Sequence, residues 1–208
     1  MSLSIVVLNW NDWRSTIDCL QSIIQSSYNN YDIILVDNNS ELKHINFIKK
    51  WHKREINCNR RFVKPDNQRF NNIIEVKKNQ IIKRNNIGGK NIYLIKNKKN
   101  YGLTKGLNIG YKFSINNSYK YILRVDNDLF LEKNCIKTLL RSFNRKNVAA
   151  VSPKILHAYL KKTIWWSEFY MKWSTLKFYR FGETRKNKKP DNKNISNIKQ
   201  VDAICGAC

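Results

Sequence analysis

Apolar and polar positions come in blocks along this chain, and the blocks recur in a regular order. Ser4 to Leu8, "SIVVL", is a β-branched apolar run with the length of a buried strand. It gives way to the polar "NWNDWRST" and then to Ile17, Leu20, Ile23 and Ile24 at helical spacing. Tyr31 to Ser40, "YDIILVDNNS", repeats the device, and a helix is expected from about Glu41 to Lys53. "NIYLIKN", Asn91 to Asn97, predicts another strand, followed by a loop and a helix from about Leu103 to Ser114. "YKYILRVDND" predicts a fourth strand, after which Ile136, Leu139, Leu140 and Phe143 fall at i, i+3, i+4 and i+7 of an amphipathic helix. "VAAVSP" predicts a fifth strand, stopped by Pro153.

Strands alternating with helices predict right-handed βαβ units, hence an α/β fold with a mostly parallel central sheet covered by helices on both faces. Residues 1–153 are read as this core. Residues 54–90, rich in Asn, Lys and Arg and without sustained periodicity, are read as a peripheral insertion, partly helical or mobile. From residue 154 the character changes. "TIWWSEFYMKWSTLKFYRFG" is dense in aromatics and "ETRKNKKPDNKNISN" is a charged, Pro-containing loop, so residues 154–208 are expected to form hairpin strands and a flexible loop.

The 208 residues carry 39 Lys plus Arg against 15 Asp plus Glu, a formal charge of +24. Such a chain attracts polyanions: nucleic acid, anionic lipid headgroups or phosphorylated small molecules. The charge has a bland reading too, since Asn, Lys and Ile are all abundant, as an A+T-rich coding sequence would produce. No stretch has the roughly 18 consecutive apolar residues of a spanning helix, and the N-terminus lacks a signal-peptide pattern. The chain is therefore expected to be cytoplasmic, or to sit at the inner face of the cell membrane. Five scattered cysteines fit reduced thiols, and the terminal "CGAC" lacks the strand-to-helix context of a redox pair.

In a parallel sheet, ligands collect beyond the carboxyl ends of the strands. Those ends carry Asn9 and Asn11, Asp37, Asn97 to Gly102, and Asp126 with Asp128. In the fourth strand, side chains repeat every two residues, which puts Asp126 and Asp128 on one side and Asn127 on the other. Two neighbouring carboxylates repel unless a cation sits beside them. Mg²⁺ typically takes one or two carboxylates plus substrate phosphates, so the pair suggests a metal-bound diphosphate. The structural alternative is that the same residues turn the chain and cap the next helix.

"SIVVLNWND", "IILVDNNS", "NKKNYGLTKGLNIGYKF", "YILRVDNDLFLEKN" and "VDAICGAC" together resemble, in order and spacing, a family 2 glycosyltransferase of the GT-A (Rossmann-like) fold. The nearest flavour is the rhamnosyltransferase-like branch that builds cell-surface polysaccharides. The resemblance implies a nucleotide-sugar donor, a divalent cation (Mg²⁺ or Mn²⁺) and a glycan or lipid-linked acceptor, the last consistent with peripheral membrane association. It places Asn9 and Asn11 at the nucleotide pocket and Asp37 on the base. Asn100 and Gly102, with Asn108 in the following helix, come near the ribose and diphosphate, Asp126 on ribose and metal, and Asp128 on the metal. Lys105 is read first as a solvated surface lysine and second as a phosphate contact. Asn127 is assigned no chemistry.

The resemblance also implies a carboxylate general base in a segment beyond "GAC", which this sequence does not contain. The chain is thus expected to be the donor-binding part, truncated before the acceptor part, with weak or absent transfer. The aromatic residues Trp165, Trp166, Phe169, Tyr170 and Trp173 are read as packing against that further part, ahead of stacking a sugar or resting on a membrane. Two rivals remain. A nucleotidyltransferase would show a Gly-rich basic loop after the first strand, which "NWNDW" is not. A nucleic-acid-binding protein would follow from the charge, but no RRM, KH, zinc-finger or helix-turn-helix signature is present.

Overall fold

Strands β1 (Leu3–Asn9) and β2 (Tyr31–Asp37) run parallel, in register from Leu3 beside Tyr31 to Asn9 beside Asp37. Every residue of β2 is buried and β1 nearly so, which fits strands that are apolar on both faces and covered on both sides. On the other side of β1 lies β5 (Tyr121–Asp126), also parallel. β4 (Ile92–Lys96) flanks β2, and β3 (Ile73–Glu75) completes the sheet order β3-β4-β2-β1-β5. The expected parallel α/β sheet is therefore present. The structure is a computed structural model describing residues 2–58, 63, 68–82, 89–160, 163–181 and 198–208. These fall into two units, Met1–Ile136 with Ala207, and Lys137–Gly206 with Cys208.

In the first unit, helix α1 (Trp13–Ile24) starts where the Asp12 carboxylate accepts from the Ser15 N–H at 3.1 Å. Helix α2 (Leu42–His52) carries Lys49 and Lys50 in its last turn, cations placed where the helix dipole favours them. Helix α3 (Gly102–Asn116) packs on β1 and β2. Its Gly106 and Gly110, four residues apart, turn bare backbone toward the sheet: a Cβ at Gly110 would stand 2.5 Å from Val6 Cγ1. Helix α4 (Cys135–Ser142) begins at the end of the unit and buries Ile136.

Within residues 54–90, expected to be a peripheral insertion, the described residues contribute β3 at the sheet edge and are pinned. They contain no helix beyond the end of α2. Glu75 bridges Lys49 and Lys96, Ile82 donates its N–H to the Asn117 side chain at 2.6 Å, and Phe70, Val76 and Ile82 are buried. Three strand residues are too short a run for periodicity to reveal. The expected strand at "VAAVSP" is absent: residues 148–153 have no regular structure. Ala149 and Ala150 are exposed and Pro153 offers no donor, so neither burial nor a ladder rewards extension there.

In the second unit, β6 (Ile155–Leu156) pairs antiparallel with β7 (Ile164–Trp166), and β8 (Glu168–Lys172) with β9 (Lys177–Phe181). Hairpin strands were expected here. The charged loop, residues 183–197, lies outside the described residues.

The glycine contact yields a test. Gly110→Ala forces a methyl into a sheet already in contact, so it is expected to cost about 1–3 kcal/mol and to lower the thermal midpoint. An unchanged midpoint would mean that α3 stands further from β1.

Candidate functional site

The parallel register sets Asn9 beside Asp37, Asp37 beside Lys96 and Leu8 beside Asp126, so four polar strand ends open on one edge of the sheet. Asn9 is fully buried there. Its Nδ2 donates to Asp37 Oδ1 at 2.9 Å and to Ser40 Oγ at 3.1 Å. Its Oδ1 accepts from the Thr16 hydroxyl at 2.8 Å. Asp37 is only 3% exposed, and its second oxygen accepts the Ser40 N–H at 3.1 Å. One carboxylate oxygen thus serves Asn9 at the end of β1 and the other serves the turn after β2, and the side chain is almost wholly buried. Asn11 holds a left-handed backbone (φ 52°), a conformation Asn tolerates, and its Oδ1 accepts the Glu41 N–H at 2.9 Å. These contacts lace the β1–α1 loop to the β2–α2 loop.

A second knot centres on Asn38, which the sequence reading passed over. Its Oδ1 accepts from Asn97 Nδ2 and from the Tyr101 N–H, each at 3.0 Å, while its Nδ2 donates to Asn100 Oδ1 at 2.7 Å. Asn100 Oδ1 also accepts the Gly102 N–H at 2.8 Å, and Gly102 sits at φ 76°, where a side chain would be strained. The turn into α3 is therefore held by asparagine amides. Asn100, Gly102 and Asn108 are exposed, and Lys99 and Lys105 place their ammonium groups 5.6 and 4.7 Å from the Tyr101 ring. That concentrates positive charge at the N-terminal end of a 15-residue helix.

At β5 the expected alternation fails. The strand ends at Asp126, and the Leu129 N–H closes a turn on the Asp126 carbonyl at 3.0 Å, so Asn127 and Asp128 belong to a turn and not to an extended run. Asp and Asn favour such turns. Asn127 takes a role after all: its Nδ2 donates to the Thr16 hydroxyl at 3.1 Å, continuing the chain from Asn9 through Thr16. The backbone N–H of Asp126 donates to the Ala207 carbonyl at 2.9 Å, which brings that residue of the "CGAC" segment beside the strand.

The two carboxylates remain neighbours. Arg124, two residues back on the same strand face, donates Nε and Nη2 to Asp126 Oδ1 at 3.1 and 2.9 Å. Burial raises the proton affinity of the Asp126 carboxyl, Arg124 lowers it, and the charge of Asp128 raises it further, with a net rise. Asp128 is exposed, and among the described residues no hydrogen bond or ion pair reaches its carboxylate. No cluster of three or more His, Cys, Asp or Glu side chains occurs among the described residues. Two carboxylates, one braced by Arg124 and one open, fit a hard divalent ion that completes its shell with water and phosphate oxygens. The rim also exposes Trp10, 56% accessible directly after Asn9, whereas Trp13 is stacked on Phe47 at 4.4 Å.

Of the residues expected at the site, then, Asn9, Asn11 and Asp37 knit the loops, Asn100 and Gly102 shape the α3 turn, and Asp126 and Asp128 flank the β5 turn. Asn108 stands in α3 beyond that network. Thr16, Asn38, Ser40, Arg124 and Trp10 join them. The doubled Asn in "VDNNS" was the one signal that could have pointed to Asn38.

A parallel α/β sheet with such an edge defines a ligand-binding α/β protein. Residues 77–198, more than half of the chain, match the profile of the family described as Glycosyl transferase family 2. The chain belongs to that family. It is 40% identical over 62 residues to the uncharacterized protein MJ0544 of Methanocaldococcus jannaschii, covering 29% of this chain and 27% of that protein. Among solved structures it is similar to TarS of S. aureus, at 15% identity and a TM-score of 0.45, over 78% of this chain and 24% of that one. It is also similar to TarS residues 1–349 in complex with UDP-GlcNAc, again at 15% and 0.45, over 78% of this chain and 39% of that one. The chain thus spans about a quarter of MJ0544 and of the longer TarS chain. Among the described residues, no helix is long and apolar enough to cross a membrane.

The buried network makes its own prediction. Asn9→Ala strips the donor from Asp37 and the acceptor from Thr16 and leaves both buried, so it is expected to cost about 1–3 kcal/mol, read as a lower denaturant midpoint at unchanged slope. A midpoint within error of wild type would show that water replaces the amide.

Proposed function

We propose that this chain binds a nucleoside-diphosphate sugar at the carboxyl edge of its sheet. As a rhamnosyltransferase-like member of its family, it takes part in moving the sugar, with inversion, to a glycan or lipid-linked acceptor of a cell-surface polysaccharide, at the inner face of the cell membrane. The observation that carries the reading is the convergence of the ends of β1, β2, β4 and β5 on one edge, with an exposed indole, a cationic helix start and an open carboxylate around it.

In this reading Trp10 offers its face to the nucleobase, a sequence-tolerant contact suited to any base. Lys99 and Lys105, beside the first turn of α3, face the diphosphate. Asp126 and Asp128 hold the divalent cation, and Arg124 fixes Asp126 so that one oxygen is committed and the other presented. The cation, when bound, neutralises charge growing on the leaving diphosphate. The asparagine network keeps the loops fixed so that these groups need not reorganise on binding. The acceptor hydroxyl attacks the anomeric carbon through an oxocarbenium-like transition state as the diphosphate leaves. No general base is assigned to this chain, so the test reads donor binding before turnover.

Calorimetric titration with a panel of nucleotide sugars, with Mn²⁺ or Mg²⁺ present, is expected to give saturable binding. Trp10→Ala should weaken it about tenfold, as loss of one stacked base does. Asp128→Asn should abolish its dependence on the cation. Binding of Mn²⁺ should also weaken on acidification, and at a higher pH than an ordinary carboxylate would give, because the proton Asp126 holds more tightly must leave before it can coordinate. If no nucleotide sugar binds at saturation while nucleic acid does, with steep salt dependence, the proposal fails.

A further inference from the structure

The β8–β9 ribbon of the second unit ends in a four-residue turn, Trp173 to Leu176, in which the Thr175 N–H donates to the Lys172 carbonyl at 3.1 Å. Its register pairs Tyr170 with Tyr179, Met171 with Phe178 and Lys172 with Lys177. Directly paired residues share a face, so one face carries Met171 and Phe178 and the other carries two tyrosines followed by two lysines. The base of the ribbon is stiffened: Trp166 stacks on Phe169 at 5.9 Å, and Phe169 meets Phe178 at 5.4 Å. Trp166 and Phe169 therefore pack within the unit, whereas Phe178 touches Phe169 and keeps most of its surface exposed.

The tip is different. Trp173 is 69% exposed, and Leu176 and Phe178 are each 65% exposed. Single exposed apolar residues are ordinary, but three at the end of one narrow ribbon are a patch that ordinarily has a partner. Beside them Lys172 and Lys177, both exposed, face each other across the ladder, an arrangement of like charges that costs stability unless an anion lies between them. Both features point to a partner that is apolar inside and anionic at its surface.

We propose that this hairpin tip docks the protein on an anionic bilayer. Trp173 lies at headgroup level, Leu176 and Phe178 enter the acyl boundary, and Lys172 and Lys177 sit on lipid phosphates. The proposal rests on the lipid-linked-acceptor reading above and names the element that meets the lipid. A second copy of this chain would bring lysine against lysine and +24 against +24. Nucleic acid would leave Leu176, which neither stacks nor hydrogen-bonds, without a purpose.

Flotation of the full chain with phosphatidylcholine vesicles, with and without phosphatidylglycerol, tests it in the absence of nucleotide. Wild type is expected to float with the anionic vesicles. The double variant W173S/L176S, altered only at an exposed turn, should lose binding about tenfold or more. K172Q/K177Q should lose about fivefold per lysine and most of its salt dependence. Anionic-vesicle binding that W173S/L176S leaves intact overturns the proposal. So does a wild-type dimer, seen by light scattering, that the same substitutions dissociate while flotation is unchanged. Nucleotide-sugar titration of the same proteins separates the two readings. Lost flotation with donor binding retained supports this one, whereas flotation intact in a wild type that binds no nucleotide sugar sinks the activity and leaves the hairpin as a lipid contact.

Discussion

The hydrogen bond from Asn9 to Asp37, 2.9 Å long and buried, is the contact on which the carboxyl edge of the sheet depends. A parallel strand buried on both faces must end somewhere, and its last polar groups cannot be left dry and unpaired. Here the ends of β1 and β2 satisfy each other. Asn9 serves Asp37, Asp37 serves Ser40, Ser40 serves Asn11, and Thr16 carries the chain on to Asn127 beyond β5. The loops at the edge are thereby fixed by amides and hydroxyls gathered around one buried carboxylate, whose two oxygens both find donors. What the fold presents above this floor is then set by the residues left over: an indole, two lysines and two carboxylates.

Much of this was legible in the chain. β1, β2 and β4 announce themselves as apolar runs long enough to be buried, β5 as a largely apolar run ending in polar residues, and α1 and α4 because their apolar spacing fits one face. β3 was hidden, since three residues have no period and its hold comes from the ladder it forms with β4, a partner distant in sequence. "VAAVSP" misled in the other direction, because an apolar stretch predicts burial only if something covers it, and Ala149 and Ala150 face solvent.

At the edge, residue types were legible and roles were not. The polar strand ends pointed to the right place, but whether a side chain turns inward to brace a loop or outward to meet a ligand is decided by three-dimensional neighbours. Asp37 and Asn38 are adjacent in sequence and belong to different knots. Asp126 and Asp128 were paired for the wrong reason: they are neighbours across a turn, not along a strand face. Arg124 was invisible because a basic residue in a lysine-rich chain draws no notice until its guanidinium is seen on Asp126.

The disposition of the carboxylates supports a further step. In the buried interior, Asp32 and Asp37 are held by neutral donors: the Asn91 N–H and Tyr119 hydroxyl for one, Asn9 and the Ser40 N–H for the other. Toward the surface, Glu41, Glu75, Asp126 and Glu168 each carry a lysine or arginine. Exposed ion pairs are individually weak, so this pairing reflects abundance of cations more than need. Asp128 is exposed in a chain with more than twice as many basic as acidic residues and, like Glu132 and Asp202, is reached by no ion pair among the described residues; unlike them it adjoins a second carboxylate, Asp126. Its neighbour Asp126 has an arginine on one oxygen, which lowers the repulsion between the two without consuming both. On the reading proposed above, a site with one carboxylate half neutralised and the other open would hold a divalent cation more weakly than two free acids would. Such a site would gain most from a cation arriving with a diphosphate that supplies the remaining negative charge.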